Sequence, residues 1–157
     1  MGQRGEIALR IMGLDFGAKT VGVAISDPLL HVARPIEVIR RPREDKQRRT
    51  LARIEELIRE YDVSRIVLGM PYHMDEKEGE NPRTYGERGV RTLAFREKLA
   101  RRSGLPIELV DERLTTFEAR ETMDAAGLRR DEQEPHVDML AAALILKEYL
   151  TQNEKQR

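Results

Sequence analysis

IALRIMGLDFGAKTVGVAIS, residues 7–26, decides how this chain folds. Its first half mixes apolar residues with Gly13 and closes on Asp15-Phe16-Gly17, which predicts a strand over 7–15 running into a turn. Thr20–Ser26 is β-branched and compact, a second strand returning through Gly17-Ala18-Lys19. Residues 36–39, after Pro35, make a short third strand. Connections this short join antiparallel neighbours, so the three strands predict a meander.

Outward from the meander the spacing becomes helical. Leu51, Ile54, Leu57, Ile58 and Tyr61 share one face, with Arg53, Glu55, Glu56, Arg59 and Glu60 around the rest. Residues 64–70 are apolar on both faces, as in a strand covered by helices on each side. Residues 72–83 are polar, with Gly79 and Pro82 as breakers, and read as a long exposed loop of the kind that serves function or is disordered. A helix is expected over 85–102 with Val90, Leu93 and Ala94 inward, ended by Ser103-Gly104 and Pro106, then a strand over 107–110. Thr115 or Thr116 caps the next helix, which stops at Gly127. The last helix is expected to start near Pro135 and to bury Val137, Leu140, Ala141, Leu144 and Ile145. The resulting order is β-β-β-α-β-α-β-α-α: an α/β fold with a mixed five-stranded sheet, three antiparallel strands followed by parallel ones, and helices on both faces. The chain reads as a single domain over 1–157, with an ordered core at 7–150 and frayed ends at 1–6 and 151–157.

Composition narrows the function classes. With 157 residues the chain makes one ordinary domain. The absence of cysteine excludes a disulfide scaffold, a thiolate metal site, an iron–sulfur cluster and a cysteine nucleophile. The longest nearly apolar run, 139–146, falls short of the roughly 20 residues that cross a bilayer. Charges occupy the first ten residues where a signal peptide needs apolar ones, so the expectation is a soluble cytoplasmic protein with no membrane contact. Lys plus Arg balance Asp plus Glu at 28 each, so no overall field draws the molecule toward polyanions. The 22 Arg against 6 Lys suit phosphate geometry, or reflect a solvated surface and a GC-rich genome.

Three acidic positions stand out. Asp15 lies between Gly13 and Gly17 at the end of the expected central strand, where backbone or ligand can approach closely. Asp111 and Glu112 follow the strand that ends at Val110, again at a carboxyl end, where ligands of open sheets gather. Asp138 shares a helical stripe with Ala141, Ala142, Ile145 and Tyr149 and so points inward. Plain alternatives exist for each: a turn acid at Asp15, an ion pair of Asp111-Glu112 with Arg113, a first-turn helix-dipole acid at Asp138. Right-handed crossovers, however, carry both strands to one sheet edge, and a helix returning over the sheet brings Asp138 beside them. Three converging carboxylates repel one another and call for cations; oxygen ligands suit Mg²⁺ or Mn²⁺, and two such ions can clamp a phosphodiester displacement. Neither Lys19, beside Asp15, nor Arg113 is decided between a phosphate contact and a structural role. His136 is a substrate contact or a surface histidine, and Thr115 and Thr116 read first as caps. His31 and His73 show no ligand spacing. Arg40, Arg41, Arg43, Lys46, Arg48 and Arg49 form the densest basic cluster, a backbone track or a solvated loop. Aromatic residues at 4% argue against a base-stacking platform.

The runs GLDFGAKTVGVAISD, IVLGMPYHMDEKEGE, VDERLTTFEA and HVDMLAAALILKEYL resemble, in order and spacing, the motifs of the YqgF (RuvX) family, from about residue 11 to 150. Tyr72-His73 depart from the pair, often Leu-Asn, that follows Gly-x-Pro in the family; Lys19 conforms. The resemblance implies an RNase H-like fold and a nuclease acting on pre-16S rRNA, or a Holliday junction resolvase. It makes Asp15, Glu112 and Asp138 the catalytic acids and metal ligands, with Asp111 as the other candidate beside Glu112 and two Mg²⁺ or Mn²⁺ ions as cofactors. The implied partners are structured RNA such as pre-rRNA, or branched DNA, with a homodimer favoured by a two-fold substrate. Competing classes are a nucleic-acid-binding module without turnover and, more distantly, a phosphotransferase, which would need a second domain to close on ATP.

Overall fold

β1 (Arg10–Phe16) is the middle strand of a five-stranded sheet ordered β3-β2-β1-β4-β5. A computed structural model of the protein describes residues 10–71, 86–112 and 115–156, of which 115–117 and 154–156 are described as backbone alone. β2 (Thr20–Ser26) and β3 (Ala33–Arg40) complete the antiparallel meander, with Asp15 opposite Gly22 and Thr20 opposite Arg40. β4 (Val63–Met70) lies parallel to β1, with Leu14 beside Leu68, and β5 (Ile107–Asp111) lies parallel to β4. The third strand is longer than its apolar centre suggested, because it starts before Pro35 on an edge, where a missing N–H is tolerated.

Alternation along the strands assigns each side chain a face. Met12, Leu14 and Phe16 of β1 join Val21, Val23, Ile66 and Leu68 beneath α1 (Arg48–Glu60) and α2 (Gly86–Ser103). Ile11, Ala24, Val67 and Val110 face the other way, onto Ala142, Ile145, Leu146 and Tyr149 of the last helix. Asp15 falls in the second set. Continuing the β1–β4 register one step beyond Leu14 and Leu68 places it beside Gly69.

Two helices differ from the sequence reading. α2 buries Gly89, Thr92, Phe95 and Leu99, whereas Val90 is 61% exposed, Ala94 is exposed and Leu93 is half-buried. Phe95 sets this phase: its ring stacks on Phe16 with centroids 4.3 Å apart, while Thr92 satisfies its hydroxyl on the Arg88 carbonyl at 2.9 Å and can therefore sit inside. After α3 (Thr115–Ala125), α4 (Arg130–Gln156) begins well before Pro135, which lies inside it. Asp131 and Glu132 occupy its first turn, and Glu132 accepts the Arg129 N–H at 2.8 Å, so acids and a local cap start the helix upstream of the proline. One missing N–H does not stop a helix of 27 residues packed on a sheet. The same helix continues past Thr151 to Gln156, where the polar tail was expected to fray. Residues 72–85, including the expected loop, lie outside the described residues.

Candidate active site

The site is built at the carboxyl edge of β1, β4 and β5, on the face covered by α4. Asp15, in β1, and Glu112, directly after β5, stand on either side of β4, and they share a hydrogen bond across it. Gly69 lets them meet. A Cβ on Gly69 would strike the Glu112 carboxylate and lie 2.5 Å from Ile145 Cδ1. The Glu112 N–H donates to the Met70 carbonyl at 3.1 Å and prolongs the ladder to the point where its side chain turns inward.

α4 brings the third acid. At Gly22 of β2, a Cβ would overlap the Asp138 carbonyl, so the helix backbone rests directly on the strand. The Asp138 carboxylate accepts a short hydrogen bond from the Thr20 hydroxyl at the start of β2. Asp138 thus lies well inside the helix and not in its first turn, which removes the helix-dipole explanation for it.

Electrostatics reflect this crowding. Burial pushes the Asp15 carboxyl well above its ordinary 3.8; the Glu112 charge, the hydrogen bond to Glu112 and the Asp138 charge push the same way, and only Arg88 opposes them. Burial also raises Glu112, helped by Asp111 and Asp138 and opposed by the Asp15 hydrogen bond and Arg88. An all-oxygen set of mutually repelling carboxylates fits a hard divalent cation. Among the described residues, though, no three His, Cys, Asp or Glu side chains are disposed to hold a metal together, and Asp138 is engaged by Thr20.

The other sequence candidates divide. Asp111 is exposed at the end of β5, opposite Met70, while Glu112 is half-buried against Asp15. Lys19 is exposed in the β1–β2 turn, where its carbonyl accepts the Arg41 N–H at 2.8 Å. His136 is exposed on α4, next to Pro135, whose carbonyl takes an Arg40 hydrogen bond at 3.5 Å. Arg113 and His73 lie outside the described residues, and α3 opens at Thr115, with the Thr115 and Thr116 side chains not described. His31 sits after β2, at the sheet end remote from Asp15, where its N–H and that of Val32 cap Asp27 at 2.7 Å each. The basic cluster is not uniform: Arg41 is buried, stacks 4.7 Å from the Phe16 centroid and donates to Gly17 O at 2.6 Å, and Arg43 pairs with Asp45 at 3.1 Å.

Sequence reasoning missed Thr20 and Arg88. Arg88 precedes Thr92 by one helical turn and Phe95 by two, so a charged residue stands on the core stripe of α2 at the end nearest the acids. That position was the available signal. Its Nη2 lies 2.5 Å from Glu44 Oε2, and its Cζ lies 5.1 Å from the Phe16 centroid.

Among the described residues no helix is long and apolar enough to cross a membrane. The family model described as "RuvX: Holliday junction resolvase" matches residues 9–152. A protein of Lachnospira eligens is 49% identical over 147 residues, which cover 94% of this chain and 100% of that one. One of Agathobacter rectalis is 51% identical over 142 residues, 90% of this chain and 94% of its own. Both bear the provisional name pre-16S rRNA nuclease. Among solved structures, T. thermophilus RuvC in complex with a Holliday junction substrate superposes with a TM-score of 0.58, covering 94% of this chain and 96% of that one at 16% identity. Thermus thermophilus RuvC by itself gives 0.54. At that identity the likeness concerns the fold, which is RNase H-like. The family match runs through all five strands and nearly all of the last helix, and the relatives are about half identical along their length: the chain belongs to the RuvX family.

Proposed function

We propose that this protein is a cytoplasmic, divalent-metal-dependent nuclease that hydrolyses phosphodiester bonds in processing the 5′ end of pre-16S rRNA. The observation that carries the reading is the Asp15–Glu112 pair, assembled from two strands across a glycine, with the Asp138 charge acting on both. The provisional name borne by relatives of about half identity supports the RNA substrate. Asp15, Glu112 and Asp138 would hold two Mg²⁺ or Mn²⁺ ions, with Asp111 the other carboxylate within reach of that role. Ions so held would supply an activated water and charge for the departing 3′ oxygen. Thr20 orients Asp138 through its hydroxyl, and Gly69 keeps the space in which Glu112 reaches Asp15. Lys19 and His136, exposed on either side of Thr20 and Asp138, would take flanking phosphates, and Arg113 would do the same beside Glu112.

A second reading, resolution of Holliday junctions by a homodimer, is favoured by the family description and by the fold shared with a junction-bound protein. The test is cleavage in Mn²⁺ or Mg²⁺ of a pre-16S 5′ leader, a generic single strand and a four-way DNA junction, with EDTA and Asp15→Asn controls. Cutting of the leader alone, lost in both controls, is the expected outcome. Cutting of the junction alone moves the substrate to DNA, and activity that survives Asp15→Asn removes the assigned site.

A further inference from the structure

We propose that Arg88 is a catalytic residue of this site, whose guanidinium binds a non-bridging oxygen of the scissile phosphate; the role rests on the nuclease reading above. Arg88 is built into place. Glu44 holds one edge of the guanidinium at 2.5 Å and is itself engaged by Arg91, while the Phe16 ring lies 5.1 Å from Cζ. Phe16 directly follows Asp15 and is stacked on Phe95, so the arginine and the first acid share one rigid support. The Glu44 side chain is only 18% exposed, whereas 35% of the Arg88 side chain still reaches solvent. Nε and Nη2 are both buried, and Nε has no hydrogen-bond acceptor among the described residues.

Position completes the argument. Arg88, in the first turn of α2, lies over Phe16 at the carboxyl end of β1, on the face of the sheet away from α4. Its charge reaches both Asp15 and Glu112 and favours their ionised forms. A phosphate drawn to cations among the carboxylates would meet this guanidinium at the end of β1, where Asp15 and Phe16 turn to opposite faces. With Nη2 on Glu44 and Nε buried, Nη1 is the guanidinium nitrogen left for a phosphate oxygen, held in a fixed plane as a lysine ammonium is not.

The test is single-turnover cleavage of a pre-16S 5′ leader by wild type, Arg88→Ala and Arg88→Lys at saturating Mn²⁺, with Mn²⁺-induced shifts in Tm measured on each. Arg88→Ala is expected to lower kcat by about 10²–10³-fold, the scale for losing one positioned donor. KM should change far less, and Arg88→Lys should recover part of the rate. The Mn²⁺ shift should persist in Arg88→Ala, since removing a neighbouring cation does not weaken the hold of carboxylates on a metal. A wild-type kcat in Arg88→Ala overturns the role, as does a deficit that additional Mn²⁺ restores, which would make Arg88 a counter-charge for the acids. If Arg88→Ala fails to fold, Arg88→Lys decides: an unchanged kcat overturns the proposal and a reduced one supports it. A wild type that cuts no substrate removes the nuclease reading and this role together, whereas an active wild type with an equally active Arg88→Ala removes only the role.

Discussion

At position 69 a single methyl group would occupy the space through which Glu112 reaches Asp15, and Ile145 Cδ1 closes the other side. Gly69→Ala is therefore expected to cost about 1–3 kcal/mol, the scale of overpacking, and to abolish the Mn²⁺-induced rise in Tm. Thermal melts with and without Mn²⁺ check both parts; an alanine variant that melts and responds like wild type would contradict the geometry. Asp15→Asn should move stability the other way. Burial and the two neighbouring carboxylates make the ionised Asp15 costly in the metal-free fold, and an amide removes that charge while keeping a hydrogen bond to Glu112. The metal-free variant should melt above metal-free wild type and gain nothing from Mn²⁺. Glu44 behaves differently from both acids. Its burial pushes the carboxyl up, but hydrogen bonds and charge from Arg88 and Arg91 outweigh that and hold it below its ordinary 4.5. Stability from a depressed acid is present above the unfolded value and lost as pH falls through the folded one. The stability difference between wild type and Glu44→Gln should thus be full at neutral pH and shrink below about 4.5, as denaturant melts across that range would record.

At the scale of elements, α4 carries the third acid, and it can do so only because Gly13 and Gly22 admit it onto β1 and β2. At Gly13 a Cβ would stand 2.8 Å from Leu146 Cβ and 2.9 Å from the Ala142 carbonyl. At Gly22 it would meet the Asp138 backbone itself, which cannot yield without the whole helix. Gly22→Ala should accordingly displace α4, with a larger loss of Tm than Gly69→Ala and no Mn²⁺ response; equal melting of Gly22→Ala and wild type would refute this contact. These glycines help to explain why the element order, and the gathering of Asp15, Glu112 and Asp138 at one place, were legible in the sequence. Strand and helix periods are local, the glycines flank the acidic positions, and right-handed crossovers leave few ways to arrange them. What was not legible depended on contacts between distant parts of the chain. Thr20 and Asp138 are 118 residues apart, and no local pattern pairs them. The phase of α2 followed its aliphatic residues in the sequence, yet Phe95 finds Phe16 and turns Val90 outward. Pro135 looked like a helix start because its local effect is known, while the acids that begin the helix upstream act through Arg129.

Over the whole molecule the formal charge is zero, so attraction to a polyanion must come from where the cations stand and not from their number. Many are already spent on acids: Arg53 on Glu37, Arg102 on Glu55, Arg120 on Glu134, Arg65 on Glu108. Near the site, Lys19 and Arg40 are exposed at one corner of the sheet, where Thr20 pairs with Arg40 and the Arg40 guanidinium reaches the Pro135 carbonyl beside His136. A strand whose scissile phosphate lies at Asp15 would leave the site across this corner. Each phosphate neutralised there releases counterions, and for single strands log K falls against log salt with a slope of about −0.7 per contact. Binding of a pre-16S leader strand by Asp15→Asn protein, measured over a series of KCl concentrations, should therefore lose about 1.4 from its slope when Lys19 and Arg40 are both changed to Ala. The same pair of changes at Arg101 and Arg102, on the far end of α2, should leave the slope unaltered. Identical slopes for the two double variants would place the nucleic-acid path elsewhere on the molecule, and a slope lost at Arg101 and Arg102 alone would place it along the opposite sheet edge.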